Sequence, residues 1–437
     1  MLAVTVLAVI LLVVLLMLAE VPIAFSFGIG GLLFAVLTGR DVTYLLPGAF
    51  WQVGGFALLA LPLFIMAGTL MGASGISDRL VTFVNTFIGR MRGGLGAVTI
   101  ISCALFGAIS GSGGAAIAAI GSIMIPKMVE QGYARGYATA LVGCSSVLAL
   151  LIPPSIPMIV FALTSGLSVA ACFLSTISAG LIIAFIYCVM NYLYARRTPS
   201  LQVVIKGGPL RDRLRLMVVS TGRAFFALLM PIIMLGGIYS GIFTPTEAAA
   251  VAFVYVLPVG FLIYRGLTLG TTSRALVQGA TYTGAIVLVL FFLLIMSRAL
   301  VLEQVPNALA GFLVNLSDNQ YVILAVINVL LLLIGMLVDD ISGSILAAII
   351  LTPVAAQIGL HPIHFAAIVG TNLGLGNVTP PCAPLLYMAG AFGNVSLDKY
   401  IGPALKFMLL GHLPVVMLVT YAPSLSLFWP RLIMGIE

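Results

Sequence analysis

Residues 93–126 read GGLGAVTIISCALFGAISGSGGAAIAAIGSIMIP, a run without a single charge, with Arg92 before it and Lys127 after it. Short basic loops stay on the cytoplasmic side of a membrane. Both ends of this run therefore belong to one face. A segment that enters and leaves on the same side must turn round inside the bilayer. Its middle, Ser110-Gly111-Ser112-Gly113-Gly114, is polar and glycine-rich, which suits the tip of a re-entrant hairpin.

The rest of the chain demands the same solvent. Of its 437 residues, 62% are apolar and 7% are charged. Globular chains average roughly 25% charged, so this is a polytopic membrane protein with little soluble domain. Further uncharged stretches lie at 1–19, 42–77, 136–195, 341–397 and 407–430. A spanning helix takes about 20 apolar residues, so the longest hold two or three crossings. Residues 1–19 lack a basic flank and a cleavage site and read as a first span rather than a signal peptide. Forty-seven glycines and 22 prolines fit membrane helices that pack closely or break. The net charge of +7 is no nucleic-acid signal, because no basic run is interleaved with aromatics. Five single cysteines in apolar stretches form no CxxC or zinc spacing and read as packing residues.

Loop charges set the orientation. Seven of the 19 basic residues (Arg196, Arg197, Lys206, Arg211, Arg213, Arg215 and Arg223) crowd into one segment. The positive-inside rule makes it cytoplasmic. The reading is then a first repeat at 1–195, a basic linker at 196–223 and a second repeat at 224–437. Spans near 1–19, 23–39 and 54–72 precede the hairpin, and crossings near 137–165 and 168–195 follow it. Five crossings place the N-terminus outside. Spans near 224–241, 246–264 and 276–298 open the second half, a hairpin near 320–352 follows, and crossings near 363–393 and 400–428 finish it. A shift of 227 residues lays Glu20 on Glu247, Pro126 on Pro353, Gly132 on Gly359 and Pro153-Pro154 on Pro380-Pro381. An odd number of crossings per half makes the repeats inverted. Inverted repeats with broken helices mark secondary transporters, whose sites lie near the midplane.

Two constellations carry chemistry. The first joins Ser110, Gly111, Ser112 and Gly113 of the hairpin tip to Pro153, Pro154 and Ser155. Adjacent prolines remove two N–H donors and break a helix, and the freed carbonyls need protein, water or an ion. Carbonyl and hydroxyl oxygens suit a hard cation such as Na⁺. The second joins Asp339, Asp340 and Ser342 to Asn372, Thr379 and Pro380, with Asn377 nearby. Carboxylates inside a membrane are functional candidates by default, although aspartates at such a tip also serve as helix caps. Ser112, Ser155, Asn372, Asn377 and Thr379 are the candidates for substrate contact. Glu20 and Glu247 read as structural carboxylates, with Thr244 and Pro245 opening a helix ahead of Glu247. His361 and His364 lie in an expected loop without further ligands nearby and read as no metal site. No GxxxxGK[ST] loop is present, so the chain itself does not hydrolyse ATP. No core arginine stands out as a substrate clamp. Neither an HExxH nor a Ser/His pair points to an intramembrane enzyme.

The stretch GGIYSGIFTPTEAAA at 236–250, IPPSI at 152–156, GSIMIP at 121–126 and TPP at 379–381 resemble the large membrane subunit of tripartite ATP-independent periplasmic (TRAP) transporters, the DctM-like family. The resemblance covers nearly the whole chain. It implies two inverted repeats with two hairpins that work as an elevator. It also implies a separate small four-span membrane subunit, because the chain begins directly with the large-subunit pattern, and a periplasmic substrate-binding protein. Uptake of carboxylates such as C4-dicarboxylates, sialic acid or 2-oxo acids would be coupled to Na⁺, with no other cofactor. The resemblance would place one Na⁺ at 110–112 with 153–155, and another at 339–342 with Asn372 and 379–381. A stand-alone ion-coupled carboxylate carrier, a cation channel and an H⁺ antiporter are the rival readings.

Overall fold

The computed structural model describes residues 2–199, 201, 210–317 and 319–436. Helix dominates, and no strand occurs among the described residues. Ten helices there are long and apolar enough to cross a membrane. Hydrocarbon offers backbone groups no partner, so each segment satisfies its own within a helix. The chain is an all-helical, multi-pass membrane protein.

The first half opens with Leu2–Leu18, Ile23–Leu37 and Ala60–Ala73. A hairpin follows, rising through Gly94–Ser110 and returning through Gly113–Glu130. Next comes a broken helix, Arg135–Ser146 with Leu148–Leu151 and then Ile156–Ser165, and last the long Val169–Arg197. The second half repeats the plan with Leu210–Tyr239, Pro245–Pro258 and Leu269–Leu302. Its hairpin rises through Gln320–Leu337 and returns through Asp340–Gln357. Its broken helix is Pro362–Gly376 with Pro384–Gly393, and Leu397–Tyr421 and Pro423–Met434 close the chain.

From the hairpins onward the 227-residue shift relates conformations as well as letters. Pro153–Pro154 and Pro380–Pro381 are both cis, and Gly132 and Gly359 both take left-handed backbone, at φ 93° and 70°. Ser112 and Asp339 each cap a returning arm. The shift fails near the start. Glu247 stands in the first turn of Pro245–Pro258, where its carboxylate accepts from the Thr244 N–H at 2.8 Å and hydroxyl at 2.9 Å. Glu20 follows the end of Leu2–Leu18 with φ 64°. The two glutamates are paired in letters and not in place.

Two connections hold helix beyond the expected spans. The basic linker is largely helical where it is described: Val169–Arg197 runs into it and Leu210–Tyr239 begins inside it. Arginine is a good helix former, so basic charge does not end a helix. Lys206 lies outside the described residues. The stretch between the span near 54–72 and the first hairpin, a basic loop by the spacing of the spans, holds a helix, Ile76–Ile88, with Ile76, Leu80, Val81 and Val84 on its buried face. Its counterpart Val305–Leu316 stands before the second hairpin. Cys103, Cys144 and Cys172 are buried as expected, whereas Cys382 is exposed beside the second break.

The helices pack in two groups. Ile23–Leu37, Ala60–Ala73, Pro245–Pro258 and Leu269–Leu302 lie against one another. A Cβ on Gly31 would stand 2.8 Å from the Met296 Cα, so these backbones nearly touch. Small residues permit that approach where apolar lipid provides no hydrophobic drive between helices. The hairpins, the broken helices, Val169–Arg197 and the C-terminal helices form the other group.

Candidate functional site

The first tip is built from two residues. Gly111 takes φ 63°, and its N–H donates to the Gly107 carbonyl at 2.8 Å, ending the rising arm. Left-handed backbone at a helix end favours glycine. Ser112 then turns extended, and its Oγ accepts from the Ala115 N–H at 3.4 Å to start the returning arm. The tip rests on the break of its own half: the Ile156 N–H donates to the Gly111 carbonyl at 3.2 Å.

The break is more fully satisfied than the prolines suggest. Ser155 Oγ donates to the Leu150 carbonyl at 2.6 Å, and Thr176 Oγ1 donates to the Leu151 carbonyl at 2.7 Å. Ser155 is fully buried. It braces the break and does not line a cavity.

The second tip has a carboxylate where the first has a hydroxyl. Asp339 Oδ2 accepts from the N–H groups of Ile341 and Ser342 at 3.2 and 3.3 Å, and Oδ1 accepts from the Ser342 hydroxyl. The capping reading of Asp339 is therefore realised. Ser342 is turned inward and buried. Gly335 and Gly343 set this hairpin close against Leu373 and Gly376 of its own broken helix.

The residues of the second break divide. Asn372 Nδ2 donates to Asn328 Oδ1 at 2.7 Å and to the Ile368 carbonyl at 2.9 Å. Asn328 sits nine residues before Leu337, about 14 Å below the end of that arm. Asn372 is thus held away from the aspartates. Thr379 Oγ1 donates to the Leu375 carbonyl at 2.7 Å. Asn377 is buried, and neither its Oδ1 nor its Nδ2 has a hydrogen-bond partner among the described residues. An orphaned buried amide costs about 1–3 kcal/mol, so its surroundings suit a polar guest. His361 and His364 serve the fold. His361 Nδ1 accepts from the Ile363 N–H at 3.1 Å, and His364 Nδ1 lies 2.6 Å from Ser426 Oγ.

One arrangement has no counterpart in the sequence. Each returning arm packs on the helix beyond the other half's break. A Cβ on Gly113 would meet Leu385 at 2.9 Å, and Asp340–Leu346 lies against Ile156–Ser165. Both tips thereby reach one cavity of about 780 Å³. Ser110, Gly111, Ser112, Asp339 and Asp340 line it. Gly113, Pro153, Pro154, Ser155, Ser342, Asn372, Asn377, Thr379 and Pro380 do not. The opposite wall comes from Ala60–Ala73 and Leu269–Leu302 of the other helical group, with Ile76–Ile88 beside them, and includes Thr69, Asp78, Thr271, Arg274, Gln278 and Tyr282. Sequence reading missed this wall, and no arginine was expected at the site. A signal was present, since the last four fall three or four residues apart on one helix.

Residues 9–425 match the family model described as the tripartite ATP-independent periplasmic transporter, DctM component. The chain is 34% identical over 416 residues to the isethionate TRAP transporter permease protein DctMQ of Oleidesulfovibrio alaskensis, covering 94% of this chain and 64% of that relative, just under two thirds of its length. It is 35% identical over 409 residues to the C4-dicarboxylate TRAP transporter large permease protein DctM of Pseudomonas aeruginosa, covering 93% and 94%. Its fold is similar to the crystal structure of the Alcanivorax borkumensis YdaH transporter, with a TM-score of 0.59, 89% of each chain covered and 16% identity. A match across nearly the whole length, on a fold of paired hairpins and broken helices, places the chain in the DctM component family of tripartite ATP-independent periplasmic transporters.

Proposed function

We propose that the chain is the large permease subunit of a Na⁺-coupled, binding-protein-dependent importer of small organic acids, working with a small four-span membrane subunit and a periplasmic binding protein. The observation that carries this reading is the single cavity shared by both tips and walled by a second helical group. An elevator needs that division, with one group carrying the site past the other. The relatives' names give isethionate, a sulfonate, and C4-dicarboxylates, which supports small organic anions as the substrate class.

The first ion is assigned to Ser110 Oγ with the carbonyls of Gly111 and Pro154. Pro154 O would stand 2.8 Å from a Cβ on Gly111, so it points at the tip. The second ion is assigned to Asp339 and Ser342, with Asn377 as the nearby unpaired amide. Charge balance favours Na⁺ first and the anion second, since the second tip without its ion presents two carboxylates. One charge moving down about 100 mV yields about 2.3 kcal/mol, and a tenfold gradient adds about 1.4 kcal/mol. Two ions supply about 7 kcal/mol, enough for about 10⁵-fold accumulation of a neutral solute and less for an anion. The repeats are assigned to 1–195 and 224–437 with opposite membrane sense. The N-terminus lies in the periplasm, and the 196–223 segment faces the cytoplasm of a bacterial inner membrane.

The test is uptake into vesicles holding the permease and its small subunit under an imposed Na⁺ gradient, with and without the binding protein. Uptake requiring both supports the proposal. Uptake without the binding protein indicates a stand-alone carrier, and conductance without substrate indicates a channel. Asp339→Asn, Ser110→Ala and Ser342→Ala are each expected to lower uptake and shift its Na⁺ dependence. Unchanged Na⁺ dependence in all three removes the ion-site assignment.

A further inference from the structure

The far wall of the cavity holds a charge that the ion sites leave unused. Thr271, Arg274, Gln278 and Tyr282 share one face of Leu269–Leu302, and all four line the cavity. Gln278 Nε2 donates to Tyr282 Oη at 3.1 Å, which fixes that pair. Arg274 makes no hydrogen bond or ion pair among the described residues. A guanidinium is always charged and carries five N–H donors in a planar fork. Donors left uncommitted beside a cavity are available to a guest.

The other charges lining the cavity are the carboxylates of Asp78, Asp339 and Asp340. An organic acid entering there meets three like charges and one opposite charge. Even with a Na⁺ at each tip, the aspartates are at most neutralised. The acid group settles where the field favours it, at Arg274, whose fork matches two carboxylate or sulfonate oxygens. Gln278 stands one turn further along the same face and can donate to a substrate hydroxyl or second acid group.

We propose that Arg274, seconded by Gln278, is the anion-recognition residue of this permease, pairing with the acid group of the transported carboxylate or sulfonate from the wall opposite the tips. The inference rests on the organic-acid importer reading. It assigns substrate recognition to the helical group that does not carry the tips. The anion would then be held from both sides until the tips move away. An arginine near the start of a span also serves the positive-inside rule. That role alone would leave substrate affinity untouched.

The experiment uses the complete complex in vesicles, with succinate and isethionate as probe anions and exchange measured from the face on which Arg274 opens. Arg274→Gln is expected to raise the KM for the transported anion about 10- to 100-fold, leaving the half-saturating Na⁺ concentration and the membrane orientation unchanged. Arg274→Lys keeps the charge without the fork and is expected to fall between the two. It also serves as the readout if the glutamine variant does not assemble: a KM at least threefold above wild type supports the proposal, and a smaller rise overturns it. A glutamine variant within twofold of the wild-type KM overturns the proposal, as does one whose Na⁺ dependence shifts as much as its KM. Wild-type vesicles that transport neither anion refute the importer reading instead, with the same assay and no variant needed.

Discussion

Gly111→Ala probes whether the first tip works by resting on the proline break. The added Cβ meets two costs. Left-handed backbone costs a non-glycine residue about 1–2 kcal/mol. The Cβ would also lie 2.8 Å from the Pro154 carbonyl oxygen and 3.4 Å from the Ile156 nitrogen. Those are backbone atoms of a braced break, so they cannot swing aside. Overpacking of that kind costs about 1–3 kcal/mol, giving about 2–5 kcal/mol in total. The hydrogen bond from Ile156 to Gly111 lies on the same contact and should be lost with it. Gly359→Ala is the matched control: it takes φ 70°, but a Cβ there meets nothing within 4 Å. It should lose only about 1–2 kcal/mol. Thermal unfolding of the purified complex and Na⁺-driven uptake in vesicles are the two assays. Gly111→Ala should be the less stable by about 1–3 kcal/mol and should lose most of its uptake, whereas Gly359→Ala keeps its transport. Equal stability and equal uptake in the two variants would refute the argument that the tip is seated on the break.

Other perturbations follow from the same geometry. Thr244→Ala removes the cap of Pro245–Pro258 and should cost about 1 kcal/mol, read as a lowered unfolding temperature with unchanged Na⁺ dependence. Arg40→Gln breaks the ion pair with Glu303 at 2.6 Å, which is partly exposed; a loss above about 1 kcal/mol would be a surprise for a surface pair. Gly107→Val drives a side chain into a backbone, since even a Cβ would lie 2.3 Å from the Ala149 Cα, and the folded yield should fall sharply. Asn372→Ala strands the Asn328 amide oxygen with only Thr420 Oγ1 as donor at 3.1 Å; it should destabilise by about 1–3 kcal/mol without moving the Na⁺ dependence. A clear shift in the last case would return Asn372 to the ion site.

Local physics made much of this molecule legible from its letters. Absence of charge gave the spans, and arginine and lysine in the loops gave the two ends of the first hairpin. The glycine at 111, the serine at 112 and the paired prolines marked the reversal and the break, because each acts on its own backbone whatever lies nearby. Sequence alone also carried the repeat from the hairpins onward. What tertiary structure decided is who meets whom. Asn372 turns to Asn328 rather than to the aspartates, Ser155 turns back onto Leu150, and each returning arm crosses to the opposite half. The cavity wall with Arg274 belongs to a helix between the two hairpins in sequence, yet both tips face it. Apart from Ser155 and Leu150, such partners lie tens to hundreds of residues apart, where no local rule relates them. Their choice is set by close packing of small residues and by the need of every buried polar group for a partner, and both are properties of the assembled helices.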